Sequence, residues 1–255
     1  MVNSIRQRVL NRELLTGTFL SLGSTITVEM AGNSGFDWLL LDVEHGMGSH
    51  SDLIQQIQVT GATPAAPIVR IEHNEPARFK RVLDLGASGV MIPYISSVEE
   101  AEQAVSSMRY PPRGIRGVAK LNRGASFGYD FDEYFANTHN LLTTIAQIET
   151  TEGLNAIDAI AAVDGIDVLF VGPLDLTVNL GVAQQFDHPD YLAARKKVAE
   201  AAQNAGKASG ILLQSAEQVA DVMEEGFSFV ALGSDASLVN AGMRQFASAF
   251  DAYRK

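Results

Sequence analysis

Eight times along this chain a short apolar run of five to seven residues is followed by a stretch with helical spacing. The runs are Thr16–Leu22, Trp38–Val43, Pro67–Ile71, Gly89–Pro93, Thr144–Glu149, Val168–Gly172, Ser209–Leu213 and Phe229–Gly233. Helical patterns fall between them, among them Glu75–Leu85, Val98–Met108, Glu152–Ala162, Tyr191–Ala205 and Ala216–Glu225. Three of these stop at Gly86, Gly206 and Gly226, where a helix end favours a left-handed residue. Parallel strands need long crossovers, so strand–helix alternation predicts an α/β fold with a parallel sheet.

The turn after the first strand reads LGSTIT and lacks the GxGxxG of an open dinucleotide-binding sheet. No linker or internal repeat divides the 255 residues, a length that suits one closed barrel. The expectation is therefore a single domain, residues 1–255, folded as a (β/α)8 TIM barrel. Tyr110 to about Asn140, rich in Gly and Pro, reads as a long irregular loop.

Composition narrows the partners. The net charge is −11 and no basic cluster exceeds short pairs, so neither nucleic acid nor an anionic membrane surface is an expected partner. The chain has no cysteine, which removes disulfide and thiolate chemistry. No apolar run approaches the ~20 residues of a membrane helix, and the first residues do not resemble a signal peptide. A soluble, cytoplasmic protein is expected.

In a barrel, catalytic residues gather at the C-terminal ends of the strands. Strand two runs into Asp42-Val43-Glu44-His45-Gly46. Three ionisable residues in four positions there face either a polar cavity or a solvated loop. Strand three carries Arg70 within Pro-Ile-Val-Arg-Ile, and a buried guanidinium needs either a ligand anion or a structural carboxylate. In strand five Gln147 and Glu149 point the same way, because strand side chains alternate. Strand six enters Gly172-Pro173-Leu174-Asp175, a turn able to expose backbone amides, although Pro173 has no N–H. Glu149 and Asp175, from neighbouring strand ends, have the chemistry to hold one hard cation.

Strand seven adds an apolar wall that includes Leu212. None of the six lysines falls at the C-terminal end of an expected strand; Lys207 precedes strand seven. That argues against imine chemistry. His50, His73, His139 and His188 read as structural or solvated, and Trp38 reads as core.

The segments FDWLLLDVEHG, PIVRIEHNEPARFKRVLDLGASGVMIPYISS, RYPPRGIRGVA, AQIET, GIDVLFVGPLDLTVNLG and KASGILL resemble, in order and over nearly the whole chain, the HpcH/HpaI aldolases. The resemblance implies a metal-dependent pyruvate aldolase of sugar-acid or aromatic catabolism. Such an enzyme reversibly cleaves 4-hydroxy-2-oxo acids to pyruvate and an aldehyde through the pyruvate enolate. It implies Glu149 and Asp175 as ligands of Mg, Mn or Co, with Zn also admitted. Arg70 would stabilise enolate charge and His45 would act as base. Asp84, in Val-Leu-Asp-Leu-Gly, would raise the basicity of that histidine, a task Asp42 could share. Gln147 and the backbone at Gly172, Pro173 and Leu174 would hold pyruvate, and Leu212 would line the aldehyde pocket. A homohexamer exchanging its last helix, about Ser237–Tyr253, is also implied. Leu174 stands where a smaller residue is usual in the family, which bears on substrate range. Two other readings are a CoA-thioester lyase on the same barrel and a non-catalytic barrel subunit.

Overall fold

All eight expected strands form, each within two residues of its expected limits, in the computed structural model, which describes residues 3–254. They are β1 (Leu15–Leu20), β2 (Trp38–Asp42), β3 (Ala66–Arg70), β4 (Gly89–Ile92), β5 (Thr143–Ile148), β6 (Val168–Val171), β7 (Ala208–Leu213) and β8 (Phe229–Ser234). Each pairs in parallel with its successor, and β8 returns to β1 to close the barrel. These limits come from strand alternation: Trp38 and Leu40 pack inside the barrel, whereas Leu39 and Leu41 pack against the helices.

The inner rows also decide what reaches the mouth. Extending each row towards the C-terminal end puts Asp42, Arg70, Gln147, Glu149 and Leu212 on the inner face. Below them the interior is filled. The Trp38 ring stacks on Phe229 at 4.1 Å and its Nε1 donates to the Leu15 carbonyl at 3.2 Å. Gly17 makes room for that indole, since a Cβ there would lie 2.3 Å from the ring. A short helix, Arg6–Leu10, closes the floor through Ile5 and Val9, and Arg6 clamps the buried Asp167 at 2.8 and 2.9 Å.

The helices follow the expected pattern with informative departures. Gly86, Gly206 and Gly226 all have positive φ, at 99°, 71° and 87°. The stretch expected as one helix over Glu152–Ala162 is two, Thr151–Asn155 and Ile157–Ala162. Packing sets the first of these: a Cβ on Gly153 would lie 2.7 Å from the Ile95 carbonyl oxygen. The segment expected to be irregular contains a helix, Phe131–Leu141, which buries Tyr134 and Thr138 four residues apart and carries His139 in its last turn. The last helix is Asp235–Ser248, starting two residues earlier than expected. On it Leu238, Met243 and Phe246 are 66%, 67% and 75% exposed in the single chain. Among the described residues no helix is long and apolar enough to cross a membrane.

Candidate active site at the C-terminal mouth of the barrel

The β2–β3 register places Asp42 directly opposite Arg70. Arg70 donates from Nε to Asp42 Oδ1 at 3.0 Å and from Nη2 to Oδ2 at 2.7 Å, a bidentate pair buried on both sides. Its Nη1 lies 3.1 Å from Glu44 Oε2, and the guanidinium sits over the Phe19 ring at 5.3 Å. Burial works against the Arg70 charge, but the Asp42 hydrogen bonds and the Asp42 and Glu44 charges outweigh it and hold its pKa above the ordinary value. Arginine has five N–H donors, so this arrangement leaves some for a substrate oxygen.

Asp42 also shapes the loop that follows. Its Oδ1 accepts the backbone N–H groups of Glu44 at 3.2 Å and His45 at 3.3 Å. Gly46 is required at the bend, because a Cβ there would lie 2.0 Å from the Asp42 carbonyl oxygen. The loop presents the His45 ring to solvent with Nε2 3.8 Å from Glu44 Oε2. Arg70, Glu44 and His45 thus form a row of charged and ionisable groups. Burial raises the Glu44 pKa, with Arg70 and His45 opposing it.

Across the mouth, β5 and β6 bring up the second group. Glu149 is 1% exposed, yet its partners are neutral: Oε1 accepts the Tyr94 backbone N–H at 2.8 Å and Oε2 accepts from Gln147 Nε2 at 2.6 Å. Burial, reinforced by Asp175 and Glu44, pushes its pKa up to about 7. Asp175 lies in the first turn of the helix Pro173–Asn179, where proline starts the turn and a negative charge suits the helix dipole. Its Oδ1 accepts from the Tyr94 hydroxyl at 3.1 Å. Tyr94 therefore bridges the two carboxylates, one through its backbone and one through its side chain. Gly172 completes the cradle: a Cβ there would lie 2.2 Å from Glu149 Oε2 and 2.8 Å from Gln147 Nε2.

This donor set suits a hard divalent cation. Glu149 and Asp175 offer carboxylate oxygens, and Gln147 Oε1 is buried without a hydrogen-bond partner. Among the described residues no group of three or more His, Cys, Asp or Glu forms a ready-made metal cluster. Two protein carboxylates leave further coordination positions to water or substrate oxygens.

Residues 15–241 match the HpcH/HpaI aldolase/citrate lyase family. The chain belongs to that family. A 5-keto-4-deoxy-D-glucarate aldolase from Shigella boydii is 39% identical over 248 residues, covering 97% of this chain and 96% of the relative. An HpcH/HpaI aldolase/citrate lyase family protein from Burkholderia cenocepacia superposes with TM-score 0.92 at 35% identity, over 98% of this chain and 100% of the other. An HpcH/HpaI aldolase from Desulfitobacterium hafniense gives TM-score 0.90 at 26% identity, over 97% and 96%. The chain is an enzyme of the aldolase, carbon–carbon lyase class, in a family that depends in general on divalent metal.

Within this HpcH/HpaI barrel most of the expected site residues converge on the mouth, but Asp84 does not. It ends the helix Pro76–Asp84, which starts after β3 at the mouth and runs back towards the floor. Its carboxylate accepts from Arg116 Nη2 at 2.8 Å and from Asn122 Nδ2 at 3.4 Å. The expectation that Asp84 supports His45 therefore fails within one chain, because the helix carries it to the other end of the barrel. Asp42 is also redirected. Both its oxygens are engaged by Arg70, and it braces His45 through the backbone rather than the ring.

Leu174 is 51% exposed beside the Gly172-Pro173 turn. Leu212 lines a cavity of about 260 Å³ with Phe19, Ser21, Asp42 and His45. Lys207 lies away from this mouth, before β7, in a separate cavity with Asp164 and Asp167. Tyr94 was missed. The Pro93-Tyr94 step at the end of strand four was its signal, but a tyrosine with φ 55° that acts partly through its N–H leaves little trace in sequence.

Proposed function

We propose that this chain is a divalent-cation-dependent aldolase that reversibly cleaves 4-hydroxy-2-oxo acids to pyruvate and an aldehyde. The observation that carries the reading is Glu149, buried with only neutral hydrogen-bond donors, tied through Tyr94 to Asp175 and facing Arg70 across the mouth. A divalent cation held there by Glu149 and Asp175 would supply Lewis acidity and a template for the 2-oxo acid. Mg, Mn and Co suit the oxygen donors, and Zn is a further candidate.

The residues divide the remaining work. Gln147 and the Gly172–Leu174 turn orient pyruvate, with the donors of the turn restricted by Pro173. Arg70, fixed by Asp42 and Glu44, holds positive charge where the enolate oxygen develops, a kind of stabilisation whose loss costs roughly 3–4 kcal/mol. His45 takes the proton of the C4 hydroxyl in cleavage and returns one to the aldehyde oxygen in condensation. Glu44, between Arg70 and His45, orients that ring. Leu212 packs against the aldehyde chain, and Leu174 trims the space beside the pyruvate turn.

Two expectations carry over as part of the proposal. The 255 residues act as one barrel domain in the cytoplasm, and the exposed face of the last helix is covered by exchange in a homohexamer. In that assembly Asp84 of a neighbouring copy serves His45. A 2-oxo acid with a hydroxylated chain is the proposed substrate class, in keeping with the sugar-acid name of the Shigella boydii relative.

The test is release of CO2 from oxaloacetate, together with cleavage of 4-hydroxy-2-oxo acids. Both should stop on chelation and return with Mg, Mn or Co. Borohydride with pyruvate should leave the protein mass unchanged, and a pyruvyl-lysine adduct would refute the metal reading. Turnover of CoA thioesters without cleavage of free oxo acids would favour the thioester-lyase alternative.

A further inference from the structure

We propose that Lys207, at the floor of the barrel, is an acylation site. Its amine takes a short acyl group, activated as a phosphate or a thioester, and holds it as an amide in the adjoining cavity of about 570 Å³. The site lies at the end opposite the mouth and goes beyond the aldolase reading. The backbone fixes this lysine. The helix Pro189–Asn204 ends in a Schellman motif: the Gly206 N–H donates to the Gln203 carbonyl at 3.0 Å and the Lys207 N–H to that of Ala202 at 2.8 Å. Gly206 supplies the left-handed residue, with φ 71°, and β7 starts just after Lys207. The side chain then reaches the cavity, and its Nζ donates to the Val163 carbonyl, where the helix Ile157–Ala162 ends.

The surroundings of the amine suit a neutral nitrogen. Lys207 is half-buried, and among the described residues no carboxylate forms an ion pair with it. Asp167, the buried carboxylate of the cavity, is taken by Arg6 at 2.8 and 2.9 Å and by the Thr144 N–H at 2.9 Å. Asp164 turns to Arg109 at 3.4 Å, with its side chain 95% exposed. Burial without a partner disfavours the ammonium; Asp167 and Asp164 oppose it from a distance, yet the pKa falls to about 8. An amide at the same position gives up no ion pair and keeps an N–H for the Val163 carbonyl. Its acyl chain has Leu10, Ala161, Ala201 and Ala205 on the cavity wall to pack against. An imine gains nothing comparable, because the iminium ion that borohydride traps keeps the positive charge.

The step balances without a further reagent. The lone pair of the neutral amine attacks the acyl carbon, an N–C bond forms, and the bond from that carbon to the phosphate oxygen or thioester sulfur breaks. The leaving group departs with the electron pair, and the amine proton passes to solvent. Leu10, Asn204 and Ala205 line the cavity and are exposed, so the donor needs no entry through the mouth.

The test is limited acetylation of the assembled native protein with acetyl phosphate and, in a second arm, with acetyl-CoA. Peptide mass spectrometry follows each lysine from about pH 7 to pH 10, with the exposed Lys80, Lys120, Lys196 and Lys197 as internal references. Near pH 7 the neutral share of Lys207 is about 10²-fold above that of an ordinary lysine, so even with a narrower approach it should react at least about tenfold faster than any of the four. Its rate should level off above about pH 9 while theirs still climb, and the advantage should vanish in denaturant. Reaction with either donor alone would support the inference and name the source of the acyl group. A Lys207 rate no greater than those of the exposed lysines with both donors would overturn it. So would an advantage that persists in denaturant, or a rate that climbs in step with the others to pH 10.

Discussion

Gly172→Ala tests the cradle without touching a proton donor or a charge. The added Cβ would start 2.2 Å from Glu149 Oε2 and 2.8 Å from Gln147 Nε2. Reaching an ordinary contact of ~3.4 Å requires a shift of about 1.2 Å, and a displacement of about 1 Å can already cost roughly 10²-fold at a reacting centre. Glu149 has nowhere easy to go, since Tyr94 N–H holds Oε1 at 2.8 Å and Gln147 holds Oε2 at 2.6 Å. The loss in kcat/KM for oxaloacetate should be about 10²-fold, near 2.7 kcal/mol, with half-activation moved to higher Mn concentration. Overpacking should cost stability of about 1–3 kcal/mol, read from the melting curve. Gly242→Ala is the control: nothing lies within 4 Å of its added Cβ, and a helical alanine should be neutral or slightly stabilising. A Gly172→Ala enzyme within threefold of wild type in kcat/KM and in metal response would refute the cradle.

His45→Ala should cripple aldol cleavage by about 10²–10⁴-fold while largely sparing decarboxylation, which needs no base to begin; Arg70→Ala should damage both, and parallel loss in His45→Ala at normal metal content would move the base elsewhere. Tyr94→Phe removes the 3.1 Å bond to Asp175 but keeps the backbone bond to Glu149, so metal affinity should weaken by about tenfold or less, measured by Mn titration. Saturating Mn should raise the melting temperature, since a ligand at 100 times its Kd stabilises by about 2.7 kcal/mol, and Glu149→Gln should abolish most of that rise. Mixing His45→Ala with Asp84→Asn subunits should restore activity to about a quarter of sites if the two residues meet across an interface of a closed ring; no recovery after verified subunit exchange would remove Asp84 from the site.

The sequence was most informative where one rule operates alone. Strand alternation carries Leu40 to Asp42, Ile68 to Arg70 and Ile145 to Gln147 and Glu149, so inner-row residues near the mouth are visible in advance. Asp84 stands away from His45 of its own chain because a helix after a strand must descend the barrel, a direction its motif does not disclose. The helix Phe131–Leu141 was hidden behind the Gly- and Pro-rich stretch before it, although Phe131, Tyr134, Phe135 and Thr138 have helical spacing. The Arg70 alternatives were also not exclusive. The guanidinium has its structural carboxylates, Asp42 and Glu44, and still has donors left over.

That last point explains the charge arrangement of the mouth. Asp42, Glu44 and Glu149 gather around a single guanidinium, and the first two are consumed in fixing it. Glu149 and Asp175 are then left to each other, and burial with mutual repulsion explains why the Glu149 pKa rises to about 7. A second arginine would relieve this strain but would also occupy the space between them. In the proposed function, an uncompensated pair would attract a divalent cation and the 2-oxo acid that completes its shell. Gly172, with no side chain to intrude, keeps that space open, and the Tyr94 bridge limits how far the two carboxylates can move apart. The mouth thus sets a guanidinium fixed by two carboxylates against a buried carboxylate with neutral hydrogen-bond donors, an asymmetry that the proposed enolate chemistry would use.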